Sequence, residues 1–173
     1  MKNHQGIKLG ITIIIMLIGF VLSGCNQTEK QSAAAATPTA TREQSIWQSD
    51  YDAALKQAAA ENKYVLVSIS GLEWCGWCKA LENEVFSKPE FVEYAKANLV
   101  CVLLDFNRSG HATNAEFAKQ HEALLASYQV EGFPTVLILN SQGRAIKRDG
   151  YQRGGAAKYV EFIKETIAVN QRK

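Results

Sequence analysis

Unbroken apolar runs and helix-period stripes alternate along most of this 173-residue chain. "YVLVSIS" (64–70) and "LVCVLLDF" (99–106) are nearly uninterrupted apolar segments of strand length. That is the pattern of strands covered on both faces. "TVLILN" (135–140) is a third such segment. The short turn "SQG" then leads into "RAIKRDG" (144–150), a strand of rougher alternation, and so brief a connection predicts an antiparallel hairpin. Helical stripes fill the gaps. "SDYDAALKQAAAENK" predicts a helix over 50–62. "CKALENEVF" places Leu81, Val85 and Phe86 at helical spacing, and Ser87 is the expected cap of a further helix that opens at Pro89. "TNAEFAKQHEALLASY" predicts a helix over 113–128 with Thr113 as its cap, and "GGAAKYVEFIKETIAV" an amphipathic closing helix. Phe91, Tyr94, Phe117, Tyr159 and Phe162 recur at helical spacing and are expected in the core. Strands alternating with helices predict an α/β fold with right-handed parallel crossovers and an antiparallel edge. There is no internal repeat and no phosphate-binding glycine loop.

The first 44 residues follow a different pattern. A positive segment, "MKNHQGIK", precedes 14 apolar residues, "LGITIIIMLIGFVL", and then "SGC". The run is short for a full membrane span and suits a signal-peptide core, the other reading being an uncleaved anchor over about 7–22. "LSGC" resembles the lipobox of bacterial lipoproteins. By that resemblance residues 1–24 are a leader, Cys25 is lipid-modified, and the protein is held to a membrane in the cell envelope, on the periplasmic side. Residues 25–44 are rich in Ala, Thr, Ser and Gln and are expected to be a flexible spacer. The domain then spans 45–173. Composition, with 47% hydrophobic and 21% charged residues, is that of a globular protein with a core. Lys2 and Lys8 account for the formal charge of +2, so the remainder is neutral and carries no nucleic-acid footprint.

"EWCGWCK" (73–79) is the candidate chemistry. Two cysteines one helical turn apart suit a redox centre, half of a metal site or a structural crosslink. Zinc takes about four ligands, yet His111, His121 and Cys101 form no second closely spaced pair. A disulfide closing so short a loop adds little stability. Cys101, within "LVCVLL", reads as a small buried residue. His111 in a polar loop and His121 on a charged helix face read as uninvolved in chemistry. Cys75 follows a strand and a short loop and begins a helix, where unpaired N–H groups and the helix dipole favour a thiolate. Cys78 lies one turn on, within reach to resolve a mixed disulfide formed at Cys75. Lys79 adds positive charge, and Trp74 and Trp77 offer apolar surface to a partner.

"WCGWCK" after a buried strand, with "GFPT" (132–135) leading into another strand, resembles the thioredoxin superfamily over about residues 50–169. The resemblance is nearest to exported bacterial thioredoxin-like proteins in which this motif is followed by "EVF" (84–86). It implies a three-layer sandwich whose central mixed sheet of four to five strands is flanked by helices. It also implies a cis-proline at Pro134 opposite the cysteines, a partner strand paired with the backbone at Phe133, and a substrate surface formed by Trp74, Gly76, Trp77, Phe133, Pro134 and Thr135. The expected function is thiol–disulfide exchange with protein substrates, leaning toward reduction, with electrons from a membrane thiol donor and no cofactor or resident metal. Oxidase or isomerase action and soft-metal (copper) transfer are the alternatives, and a third is a binding module whose cysteines are incidental. Two departures stand out. Gly76–Trp77 replaces the usual Gly-Pro between the cysteines. The strand before the motif offers Ser68 and Ser70 instead of a buried aspartate, leaving Glu73 or Glu82 as substitutes.

Overall fold

In the computed structural model residues 45–172 are described. The expected leader, Cys25 and the spacer up to residue 44 lie outside them. The elements run β1 (Trp47–Gln48), α1 (Tyr51–Glu61), β2 (Tyr64–Ser70), α2 (Gly76–Leu81), a π-helical segment (Glu82–Phe86), α3 (Pro89–Asn98), β3 (Leu99–Asp105), α4 (Ala118–Ser127), β4 (Thr135–Leu139), β5 (Ala145–Asp149) and α5 (Gly155–Gln171). The sheet has five strands in the order β1-β3-β2-β4-β5. β1 and β2 pair parallel with β3, while β4 pairs antiparallel with both β2 and β5. The mixed α/β sheet and the β4–β5 hairpin are as the apolar pattern predicts, but the chain does not reach β4 by a parallel crossover. β4, inside the sheet, is the reversed strand, and β5 at the edge runs in the direction of β2.

Alternation along the central strands divides their side chains between two cores. Leu66, Cys101, Val136 and Ile138 join Leu81, Val85, Phe86, Phe91, Tyr159 and Ile163 on the face covered by α2, α3 and α5. Val65, Val67, Val100, Val102, Leu137 and Leu139 meet Tyr51, Ala54 and Ala58 of α1 on the other, with Leu124 and Leu125 of α4 packed against them. Three layers result, with the sheet in the middle. Cys101 is buried in the first core, and desolvation pushes its thiol up to about 12, which keeps it protonated and unreactive at neutral pH.

Local chemistry moves several expected boundaries. β1 is only two residues long and is pinned by Trp47, whose indole packs on Phe86 and Phe91 at 5.0 and 6.3 Å. Ser87 does not cap α3. Its hydroxyl donates to Asn83 O, and Lys88 takes the cap position without a side-chain bond. The helix expected from Thr113 begins only at Ala118. Thr113 Oγ1 donates instead to the main-chain and side-chain oxygens of Asp105, both at 3.1 Å, which ties residues 107–113 back onto the end of β3. His121 is not on a solvated face. It is fully buried between Phe106 and Phe117, with Nε2 2.8 Å from Ser49 O. His111 is exposed, as its polar loop suggests.

Candidate active site

Cys75 is the N-cap of α2, with extended backbone at φ −89° and ψ 115°. Its sulfur occupies the place of a serine or aspartate cap oxygen and accepts from Cys78 N–H at 3.2 Å. A negative charge on that sulfur therefore meets the open end of a helix, the arrangement that acidifies a thiol. Cys75 and Cys78 form a disulfide with 5.2 Å between their Cα atoms. Cys75 is 7% exposed and Cys78 1%, so an incoming sulfur has access to Cys75 first.

The loop between β2 and α2 is fixed from both ends. Gly71 O accepts from Trp74 N at 3.1 Å and from Cys75 N at 2.8 Å. Asp105 Oδ1 at the end of β3 accepts from Leu72 N at 2.7 Å. Trp74 Nε1–H donates to Phe106 O at 2.9 Å, and its indole meets Phe133 edge-on at 5.6 Å, with the Arg108 guanidinium 5.7 Å from the ring centre. Trp74 is thus a strut for the cysteine loop as well as partly exposed surface.

Opposite the sulfurs, the Phe133–Pro134 peptide is cis. Phe133 O lies 3.6 Å from Cys75 Sγ, close enough to accept from the reduced thiol. Thr135 is buried, and its hydroxyl donates to Gly132 O at 2.7 Å, so this side chain shapes the turn and is not presented to solvent. Gly76 is exposed, and a Cβ there would meet nothing within 4 Å, so no steric demand fixes glycine between the cysteines. Lys79 is exposed in α2. Trp77, the departure from the usual proline, stands on the surface and stacks on Tyr151 with centroids 5.3 Å apart. Tyr151, 74 positions away in the chain, belongs to a cluster that spacing alone does not reveal.

The carboxylates named as substitutes for the missing aspartate differ in setting. Glu73 is exposed. Glu82 lies one turn beyond Cys78, its N–H bonds to Cys78 O, and its side chain lines a cleft of about 220 Å³ with Trp47, Phe86, Val92 and Lys96. Burial raises its carboxyl above the ordinary glutamate value. The fold therefore favours protonated Glu82. Below the ordinary value both folded and unfolded states are protonated and no penalty exists. The penalty grows as pH rises through the window up to the raised value and is complete above it. Glu82→Gln is accordingly expected to stabilise the protein at pH 7 by under about 1 kcal/mol relative to pH 4. Urea midpoints of the two proteins at both pH values check this, and an equal difference at the two would contradict it. Among the described residues no cluster of three or more His, Cys, Asp or Glu side chains is set to hold a metal ion. Among the same residues no helix is long and apolar enough to cross a membrane.

Comparison with known proteins agrees with this geometry. A family model described as a thioredoxin-like domain matches residues 51–164. A disulfide bond reductase, DsbH of Chlamydia pneumoniae, is 31% identical over 121 residues, covering 70% of this chain and 72% of that protein. The thiol:disulfide interchange protein DsbD of Yersinia pestis is 32% identical over 117 residues, which is 66% of this chain but 18% of DsbD. Among solved structures, a DsbH oxidoreductase superposes with a TM-score of 0.65 at 29% identity, over 84% of this chain and 95% of that one. Sequence motif, sheet order, the disulfide at the start of α2 and the cis-proline facing it converge on one conclusion: this chain belongs to the thioredoxin superfamily, as a thioredoxin-like domain.

Proposed function

We infer that the protein is an envelope thiol–disulfide oxidoreductase that reduces disulfides in other proteins. The observation that carries this reading is the Cys75–Cys78 pair itself, capping a helix with Cys75 Sγ 3.6 Å from the carbonyl that precedes cis-Pro134. In the reduced form the Cys75 thiolate attacks one sulfur of a substrate disulfide, forming a mixed disulfide and releasing the other sulfur as a thiolate. Cys78, its amide N–H already directed at Cys75 Sγ, then attacks Cys75 Sγ. The substrate leaves as a dithiol, and the enzyme is left with the Cys75–Cys78 disulfide. Two electrons and two protons pass to the substrate in each cycle. Trp74, Gly76, Trp77 and the main chain at Phe133–Pro134 form the face against which the substrate lies, Thr135 holds the turn behind it, and Lys79 adds positive charge nearby. A reductase relative that spans most of this chain supports the direction.

Lipid attachment at Cys25 would hold this domain at the membrane surface through the spacer up to residue 44. A membrane thiol carrier is the expected source of electrons, since each turnover ends in the oxidised pair. The reading is tested by adding the protein to insulin with excess dithiothreitol and following precipitation of the freed chains. Catalysis that needs both cysteines is expected, and a rate no faster than dithiothreitol alone would remove the reading.

A further inference from the structure

One wall of the active-site face carries residues that the exchange of sulfurs does not use. Trp77 is 58% exposed, the most exposed large apolar side chain among the described residues. Yet it is held. Its ring stacks on Tyr151 at 5.3 Å with 30° between planes, and the Tyr151 hydroxyl donates to Glu84 Oε2 at 2.6 Å. The loop that carries Tyr151 is tied down by Tyr159, whose hydroxyl donates to Gly150 O at 3.1 Å. The "EVF" glutamate therefore braces an aromatic platform beside the cysteines. Trp77, Tyr151, Pro134 and Arg153 together line an open cleft of about 390 Å³, on the scale of one or two side chains.

Two facts say what would fill it. Pro134 lines the cleft and also follows the carbonyl beside Cys75 Sγ, so the cleft adjoins the path of an extended segment that offers its sulfur to Cys75. Arg153 is exposed and forms no ion pair among the described residues, while Glu84, the acid of this cluster, is engaged by Tyr151. A guanidinium fork at the rim of an aromatic cleft suits a carboxylate beside an apolar group, in preference to an ammonium at the same place.

We propose that Trp77, Tyr151 and Arg153 form a specificity site for disulfide-bearing protein segments in which an apolar side chain beside the cysteine is accompanied by an aspartate or glutamate. This deepens the reductase reading and rests on it.

The test uses pre-reduced protein and three cyclic peptides, each closed by one disulfide and carrying leucine beside a cysteine. They differ in one further residue: glutamate, glutamine or lysine. Transfer of two electrons from the dithiol to the peptide is followed by mass spectrometry as a function of peptide concentration. At low salt the glutamate peptide is expected to react about threefold to fivefold faster than the lysine peptide, the difference lying in apparent affinity and fading in high salt. In Arg153→Glu the order should reverse. Equal rates for the three peptides, or a preference for glutamate that survives R153E, would overturn the proposal while leaving the reductase reading intact. Failure to reduce any peptide, or insulin, would overturn both.

Discussion

Cys78→Ser is expected to turn the protein from a turnover catalyst into a trap. Cys75 keeps its helix cap, its access to solvent and its position beside Phe133 O, so the first attack proceeds. The second does not, because release of the substrate requires a thiolate within reach of Cys75 Sγ, and among the described residues the remaining cysteine, Cys101, is buried and protonated. Multiple-turnover insulin reduction should fall by more than about a hundredfold. Disulfide-linked adducts that dithiothreitol releases should accumulate with protein substrates in cells. Cys75→Ser should lose both turnover and adducts. Adducts formed equally by both variants, or by neither, would mean that the assigned attack and resolution are wrong.

Gly71→Ala is expected to damage the site through packing alone. Gly71 does not have positive φ, so alanine fits its backbone. The added Cβ, however, would stand 2.5 Å from Trp74 Cε2 and 2.7 Å from Nε1, closer than such atoms approach. The indole cannot easily swing away, since Nε1–H is bonded to Phe106 O and Phe133 closes one side. Relief must come from the loop, whose Trp74 and Cys75 amides hang on Gly71 O. Overpacking of this kind costs about 1–3 kcal/mol. A displacement near 1 Å at the attacking sulfur lowers the rate by about tenfold to a hundredfold. Urea unfolding and single-turnover reduction measure the two effects. If G71A matched the wild type in both, Trp74 would not be the strut described.

The central strands were legible because each is buried on both faces and reads as an unbroken apolar run. The cis bond at Pro134 was implied by the family resemblance of "WCGWCK" and "GFPT"; proline chemistry makes such a bond inexpensive but does not single out this proline. What failed was short or long-range. β1 has two residues, too few for any period to register, and exists because Trp47 finds Phe86 and Phe91. Thr113 looked like a helix cap until Asp105, eight residues earlier, claimed its hydroxyl. His121 sits among Lys119, Gln120 and Glu122, a run that reads as solvated, but Ser49 O and two aromatic rings enclose it. The spacing of the cysteines marked a candidate centre but left its chemistry open, and the strand before it, the helix it opens and "GFPT" favoured the redox reading. The bracing of Trp77 by Tyr151 and Glu84 was not legible, since it joins α2, the π-helical segment and the loop after β5.

Trp77 in place of proline leaves the direction of electron flow to be decided by one quantity, the reduction potential of the Cys75–Cys78 couple. Equilibrating the protein with graded ratios of reduced and oxidised dithiothreitol or glutathione, and counting thiols by mass after acid quench, gives it directly. A reductase should poise near the thioredoxin value of about −270 mV or below. A value close to the strongly oxidising range of about −120 mV would mean that the protein donates disulfides instead of removing them.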